Sequence, residues 1–113
     1  MEDCLFCKIL AGEIPSAKVY EDDKVYAFND INPQAPVHVL IIPKTHIKSA
    51  ADIDKDNAFV AADVFSAAAK IAKQLGLKDG FRIVTNSGKI GCQSVPHLHF
   101  HLLSGKQLSE KMD

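Results

Sequence analysis

The stretch Pro96-His97-Leu98-His99-Phe100-His101-Leu102-Leu103 decides the fold of this chain. Histidines alternate there with large apolar residues, and alternate side chains of a β-strand lie on the same face. We therefore predict a final strand over residues 95–103. Its buried row would be Leu98, Phe100 and Leu102, and the opposite surface would carry His97, His99 and His101.

The spacing of these histidines indicates that they have different roles. Successive histidines on a strand have Cα atoms about 6.6–7 Å apart, and the outer pair about 13 Å. Zinc holds imidazole nitrogens at about 2.0–2.1 Å, so one metal cannot easily take all three. One end histidine is then free for a metal site, and another is free for chemistry. The alternatives are solvent-facing histidines without a task, or an expression tag, which would not alternate strictly with apolar residues.

The rest of the chain predicts one α+β domain over residues 1–113, with an antiparallel five-stranded sheet, one short helix and one long helix. Apolar residues that recur every three or four positions predict the long helix from about Asp54 to Leu75, and Gly76 suits its C-terminal end. The other predicted segments are a helical turn at 5–11, a hairpin at 19–20 and 25–28, a central strand at 37–42, a strand at 81–85 and a loop at 86–94. Strands in consecutive groups favour an antiparallel sheet.

Composition and charge exclude several classes of protein. The 113 residues are 47% hydrophobic and 24% charged, which is typical of a globular domain and leaves no membrane-spanning run. The 13 basic and 14 acidic residues give a net charge of −1. Without a basic block, neither duplex nucleic acid nor an anionic membrane is an expected partner, whereas small nucleotides are compatible. The start of the sequence lacks the features of a secretory signal, so we expect a cytoplasmic protein.

Two cysteines at the start of the chain indicate a metal site. Cys4 and Cys7 form a Cys-x-x-Cys motif, which in a reducing compartment is typical of metal or redox chemistry rather than of a disulfide framework. A thioredoxin-type site would follow a strand of a βαβ unit. Zinc is therefore favoured, and the alternative is that both cysteines are small buried residues.

Four further segments accompany the histidines: Phe28-Asn29-Asp30-Ile31, Pro33-Gln34-Ala35-Pro36, His38-Val39-Leu40-Ile41-Ile42-Pro43-Lys44-Thr45-His46 and Gly91-Cys92-Gln93-Ser94-Val95. Together with the pattern His-φ-His-φ-His-φ-φ, in which φ is apolar, they resemble the histidine triad (HIT) family. The set and its order are similar to the Hint-like branch of nucleoside phosphoramidate hydrolases. The resemblance covers nearly the whole chain and implies a HIT-like fold and a hydrolase.

The resemblance implies that His99 is the catalytic nucleophile. It would attack the α-phosphorus of a purine nucleoside 5′-phosphoramidate, such as an AMP or GMP conjugate, and carry a covalent nucleotidyl group until water releases it. Its second ring nitrogen would bond a backbone carbonyl. His101 and Ser94 would contact the phosphate and leaving group, and His38 would support the triad by hydrogen bonding. A satisfied, partly buried histidine is the alternative for His38.

The resemblance also implies which groups hold the phosphate and the scissile bond. Asn86 would lie near that bond. Backbone N–H groups of the loop would bind phosphate, and this loop comprises Gly91, Cys92, Gln93 and Ser94. Cys92 is bulkier than the usual glycine or alanine, although we expect its N–H to be available. For Asn86 and Ser94, the alternative is a turn residue that bonds its own backbone.

The nucleoside would be held by one acidic and several apolar residues. The resemblance implies that Asp30 accepts hydrogen bonds from ribose hydroxyls. The alternative is an Asx turn before Asn32, and both can hold at once. The apolar slot around the base would comprise Phe6, Ile9, Ile14, Phe28 and Ile31. Ordinary core packing is the other interpretation of these five residues.

A structural zinc site and a homodimer complete what the resemblance implies. The zinc ligands would be Cys4, Cys7, His46 and His97, a closed set of two thiolates and two imidazoles that leaves no position for water. The chemistry itself would require no cofactor. In the homodimer, the two sheets would join edge to edge with the long helix near the interface.

Three hypotheses remain open from the sequence. The first is the phosphoramidate hydrolase. The second is a dinucleoside polyphosphate hydrolase, which Asn86 disfavours because a glutamine tends to occupy that position in the dinucleotide-cleaving branch. The third is a zinc-stabilised nucleotide-binding or interaction module without relevant turnover.

Overall fold

The computed structural model describes residues 4–113 as an α+β fold, which confirms the predicted class. The helices are α1 (Leu5–Leu10) and α2 (Phe59–Gln74), and the strands are β1 (Lys18–Glu21), β2 (Val25–Asn29), β3 (Val37–Pro43), β4 (Arg82–Val84) and β5 (Phe100–Ser104). A short 3-10 turn covers Ala50–Asp52. The five strands are antiparallel neighbours in the order β1-β2-β3-β5-β4. As predicted, the continuously apolar segment is the central strand, β3.

Two apolar cores lie on the two faces of this sheet. The larger packs against α2 and includes Val39, Ile41, Val64, Ile71 and Leu102. The smaller packs under α1 and includes Phe6, Phe28, Leu40 and Ile42. β3 contributes alternate side chains to both cores, because successive residues of a strand point to opposite faces. Burying one such aliphatic side chain contributes about 1.5–3 kcal/mol, so β3 is a principal source of stability.

The long helix ends where predicted but begins later. At its C-terminal end, Gly76 has φ of +69° and Leu77 N–H donates to the Ala72 carbonyl, which closes the helix with a left-handed residue. At the other end, α2 begins at Phe59 rather than near Asp54. The Asp54 carboxylate accepts from the N–H groups of Asp56 and Asn57, and these side-chain bonds stabilise a turn instead of a helix. No helix in residues 4–113 has the length and apolarity needed to cross a membrane.

The last strand is shorter than predicted. β5 begins at Phe100 rather than Val95, because Pro96 has no N–H to donate and Leu98 N–H donates to the Ile47 carbonyl instead of to a neighbouring strand. Alternation nevertheless continues, and Leu98, Phe100 and Leu102 enter the core against α2. The histidine face is not an open surface as expected: His97 is 0% exposed and His99 is 3% exposed.

Candidate active site and metal centre

Helix α1 covers the histidine face of the sheet. It is capped by Cys4, whose Sγ accepts from Cys7 N–H at 3.3 Å. Phe6 then places its ring edge-on to His99, with centroids 5.0 Å apart, and to His97 at 5.9 Å. Phe6 also packs edge-on against Phe28. This six-residue helix therefore encloses two of the three histidines in an apolar environment.

Two cysteines and two histidines converge between α1 and the end of β3. Nδ1 of His97 lies 3.3 Å from Sγ of Cys4 and 3.6 Å from Sγ of Cys7. Nδ1 of His46 lies 3.3 Å from Sγ of Cys7 and 3.1 Å from Nδ1 of His97. All four ligand atoms lie within 4.8 Å of one another. The structure thus brings together the four residues that the sequence singled out as zinc ligands.

The donor set of this cluster fits a tetrahedral zinc ion. Zn–N bonds of about 2.0–2.1 Å and Zn–S bonds of about 2.3 Å place the ligand atoms of a tetrahedron about 3.3–3.8 Å apart, close to the separations found here. The tautomer also fits, since Nε2–H of His97 donates to the Pro43 carbonyl at 3.0 Å and leaves Nδ1 unprotonated. Burial, and then hydrogen bonding and charge from Cys4, raise the pKa of the Cys7 thiol to about 11. Cys7 therefore becomes a thiolate beside Cys4 only when a cation compensates the charge.

His99 is held in one tautomer by the main chain. Its Nδ1 lies 2.8 Å from the His97 carbonyl oxygen, which can only accept, so the proton is on Nδ1. Within residues 4–113, Nε2 of His99 makes no hydrogen bond, yet no unpaired side-chain nitrogen there is sealed from solvent. The small exposed part of this ring therefore includes Nε2. A lone pair at Nε2 that solvent reaches is what a nucleophile requires.

A chain of hydrogen bonds orients His101 beside His99. Gln34 N–H donates to Nδ1 of His38 at 3.0 Å, which places the proton of that ring on Nε2. Nε2–H of His38 then donates to Nδ1 of His101 at 2.8 Å. His101 must accept at Nδ1 and, as a neutral ring, carries its proton on Nε2. Its ring centroid lies 5.2 Å from that of His99, so the site places a ring nitrogen with a free lone pair beside a hydrogen-bond donor.

Burial keeps these imidazoles neutral. It lowers the pKa of His99, although the bond to the His97 carbonyl opposes the shift. The pKa of His101 falls to about 4, because burial and then the neighbouring His99 and His38 disfavour a positive charge. Burial also lowers the pKa of His38, against the attraction of Asp30. The 3.4 Å contact between His38 and the Asp30 carboxylate is therefore a polar contact of a neutral ring rather than an ion pair.

Asp30, His38 and His101 form a second cluster of metal-ligand types. Here the proton on Nε2 of His38 leaves no free lone pair for a shared metal ion. Because Gln34 N–H occupies Nδ1 of His38, the atom of this ring that faces the other two residues carries a proton and donates it to His101. The opposite arrangement at His97, where the outer nitrogen donates to a carbonyl, frees the inner nitrogen. The second cluster is thus a hydrogen-bond network, whereas the first offers unprotonated nitrogens and two thiols that fit a metal ion.

The loop at 86–94 is folded by its own hydrogen bonds. Oε1 of Gln93 accepts from Gly88 N–H, and Nε2–H of Gln93 donates to the carbonyls of Lys48 and Val95. The Gln93 side chain therefore stabilises the loop. A Cβ at Gly91 would lie 2.5 Å from the Ser87 carbonyl oxygen, which only glycine avoids. The expectation that Cys92 N–H is available is wrong. Cys92 has φ of +64°, and its N–H donates to the Lys89 carbonyl.

The main chain of Gln93 is also occupied, because its N–H donates to the Gly88 carbonyl. Ser94 is exposed and Asn86 is half-buried, and both lie in the segment that precedes His97 in the sequence. Asp30 forms the Asx turn that the sequence left open: its Oδ1 accepts from Asn32 N–H at 2.8 Å. Its other oxygen faces His38. A role toward ribose would therefore use a carboxylate whose position is already fixed.

The residues expected around the base divide by burial. Phe6 and Phe28 are buried and in contact, and Ile9 and Ile14 are half-buried. Ile31 is 92% exposed and has no core role in this chain. Core packing therefore describes Phe6 and Phe28, whereas Ile31 is an apolar side chain that faces solvent near Asp30.

The backbone carbonyl expected to hold the second ring nitrogen of His99 is that of His97. Three other groups that hold the histidines in place were not predicted. They are Gln34 N–H, the Pro43 carbonyl, and the hydroxyl of Thr85, which donates to the His99 carbonyl at 2.8 Å. Two of the three belong to the backbone, so residue type gives no signal for them. Thr85 is the last residue of the strand predicted at 81–85, where a threonine is ordinary.

Comparisons with known proteins agree with this geometry. The profile of the HIT domain family matches residues 11–108. A purine nucleoside phosphoramidase of Escherichia coli K12 is 45% identical over 108 residues, 95% of this chain and 91% of that protein. A 14 kDa zinc-binding protein of Zea mays is 50% identical over 107 residues, 93% of this chain and 84% of that protein. The solved structure of a HIT family hydrolase from Clostridium thermocellum is 49% identical, with a TM-score of 0.96 over 99% of this chain and 98% of that one.

Proposed function

Since the chain belongs to the HIT domain family, we propose that it is a nucleotide hydrolase that cleaves the P–N bond of purine nucleoside 5′-phosphoramidates. Residues 1–113 form one catalytic domain in this proposal. The reaction passes through a covalent nucleotidyl group on His99. The relative named purine nucleoside phosphoramidase supports this choice of substrate.

The observation that carries the proposal is the bond from Nδ1–H of His99 to the His97 carbonyl, at 2.8 Å. It fixes the tautomer whose lone pair is on Nε2, and the lowered pKa keeps that lone pair unprotonated. A preoriented neutral imidazole attacks phosphorus without first losing a proton.

The proposed reaction has two steps, transfer of the nucleotidyl group to His99 and its hydrolysis. In the first, Nε2 of His99 bonds the α-phosphorus, and the P–N bond breaks with its electron pair on the leaving amine, which takes up a proton. In the second, a water oxygen bonds phosphorus and loses a proton to solvent, the P–Nε2 bond breaks with its electron pair on Nε2, and nucleoside monophosphate leaves. His101, with its proton on Nε2, and Ser94 donate hydrogen bonds to the phosphate oxygens and leaving group, where charge develops. His38 acts through His101 by fixing its tautomer.

Substrate binding uses the surroundings of the triad. Asp30 is proposed to accept from the ribose hydroxyls with the carboxylate that the Asx turn holds in place. The base packs among the half-buried Ile9 and Ile14 and the exposed Ile31, beside the buried pair Phe6 and Phe28. Gly91 and Ser94 supply backbone N–H groups to phosphate, and Asn86 lies near the scissile bond. Cys92 and Gln93 shape the loop, since their N–H groups bond within it.

A structural zinc ion is proposed at Cys4, Cys7, His46 and His97. When bound, it supplies a cross-link between the start of α1 and the segment that precedes β5. Two thiolates and two imidazoles complete a tetrahedral shell, so no position remains for substrate or water. Thiolate ligands require reduced cysteines, which agrees with the cytoplasm as the expected compartment. The zinc-binding relative supports this assignment.

We expect a homodimer whose sheets join at β4. This strand ends the sheet, so one of its edges lacks a neighbouring strand of the same chain. Exposed aromatics include Phe59 and Phe65 on α2, 56% and 52% exposed, and Phe81 before β4. Light scattering should give the mass of two chains at micromolar concentration. Phe65→Lys should shift the mass toward one chain, whereas Phe65→Leu should not, and a monomeric wild type would contradict the dimer.

Turnover of matched substrates tests the proposed reaction. We expect kcat/KM for an adenosine 5′-phosphoramidate to exceed that for a diadenosine polyphosphate by at least about 100-fold, a transition-state difference of about 3 kcal/mol. The reason is that the site aligns one phosphorus with His99 and His101. The release of AMP from both substrates, followed by chromatography, measures the ratio. A preference for the diadenosine compound would replace the proposal with a dinucleoside polyphosphate hydrolase.

A further inference from the structure

The carbonyl of His99 lies where the sheet no longer pairs. The last register pairs on the two sides of β5 are Ile41 with Phe100 and Val84 with His101, so His99 precedes both ladders. Its residue is 3% exposed, and a buried carbonyl requires a hydrogen-bond partner. The Thr85 hydroxyl is that partner, donating to the carbonyl at 2.8 Å.

The main chain and side chain of His99 are therefore fixed from different directions. Thr85, just beyond the end of β4, holds its carbonyl, and the His97 carbonyl holds its Nδ1. Phe6 closes on the ring from α1. Of these contacts, only the one from Thr85 connects the nucleophile to the edge strand of the sheet.

We propose that Thr85 is a positioning residue for the nucleophile His99: its hydroxyl replaces the missing ladder bond and sets the place from which Nε2 meets phosphorus. This inference rests on the proposed function. Thr85 contacts His99 only through the backbone and does not itself touch the reacting atoms. A displacement of about 1 Å in a reacting group is enough to lower a rate about 100-fold. A smaller shift of the His99 ring should therefore lower kcat while substrate binding is unchanged.

Strand β5, which follows His99, offers a matched control at its far end. Ser104 Oγ donates to the Gly80 carbonyl at 2.7 Å, again a side-chain hydroxyl on a backbone acceptor. Ser104 is buried but lies at the end of β5 remote from His99 in the strand. Ser104→Ala therefore removes a bond of the same kind without freeing the nucleophile.

The test compares Thr85→Val, Thr85→Ser and Ser104→Ala with wild type. Valine keeps the shape and loses the donor, so we expect kcat for an adenosine phosphoramidate to fall about tenfold with KM within about twofold. Serine should restore most of kcat, and Ser104→Ala should keep it. Ring ¹⁵N NMR should show faster exchange of the His99 Nδ1 proton in Thr85→Val only. If Thr85→Val does not fold, Thr85→Ala removes the same donor without crowding.

Several outcomes would overturn the inference. They are a Thr85→Val variant equal to wild type in kcat and in the His99 resonance, an equal loss in Ser104→Ala, and a loss confined to KM. Failure of the proposed function is distinguishable, because wild type itself would then not turn over the phosphoramidate. In that case the NMR comparison still decides whether Thr85 holds His99.

Discussion

His99→Ala should abolish phosphoramidate hydrolysis, with kcat lower by a factor on the order of 10⁴ to 10⁶, as for other residues that form the covalent intermediate. Alanine removes the only proposed nucleophile. His101 does not replace it, because its Nδ1 accepts from His38 and its Nε2 carries the proton. The measurement is AMP release at saturating substrate.

The control for this variant is an intact fold. His99 contributes one ring to the packing under α1 and no ligand to the zinc cluster, so circular dichroism and metal content should match wild type. If a pure, folded His99→Ala protein kept wild-type turnover, nucleophilic catalysis at this position would be wrong. If wild type also lacked turnover while binding nucleotide, the zinc-stabilised binding module would be the better description.

Loss of the zinc cluster should be the largest change in stability. Cys7→Ser should release the metal and lower the melting temperature by about 12–24 °C, corresponding to roughly 3 kcal/mol at about 4–8 °C per kcal/mol for a small domain. The reason is that the cluster ties α1 to His97, which is otherwise linked there only by packing. Elemental analysis and thermal unfolding measure the two effects.

Cys92 provides the matched control for the zinc prediction. It is the remaining free cysteine of the described residues and lies exposed in the loop, outside the cluster. Cys92→Ser should keep one zinc per chain and the wild-type melting temperature. Equal metal content in Cys7→Ser and wild type would contradict the proposed ligand set.

The sequence predicted the elements of the fold because strand and helix periodicities survive in the structure. The alternation of His97 to Leu102 places apolar residues against α2 even in the segment before the strand begins. The strand boundary was wrong because Pro96 and the Leu98 bond to Ile47 are tertiary effects. The start of α2 was wrong because the Asp54 side chain competes with the helix.

The environment of the candidate site was harder to predict. Nothing in a histidine pattern shows that a six-residue helix covers it, yet Phe6 on that helix makes His99 a buried residue. The tautomers of His38, His97 and His99 depend on backbone groups, which carry no residue-specific signal. The occupied N–H of Cys92 likewise follows from loop closure. Ligand types and spacing are visible in a sequence, whereas proton positions require the fold.

The most direct test is mass spectrometry of the protein quenched within a single turnover of adenosine phosphoramidate. The account predicts one nucleotidyl group per chain, located by fragmentation on the peptide that contains His99 and absent from His99→Ala. A nucleotidyl group on another residue, or AMP release at full rate from a chain that never carries one, would contradict it.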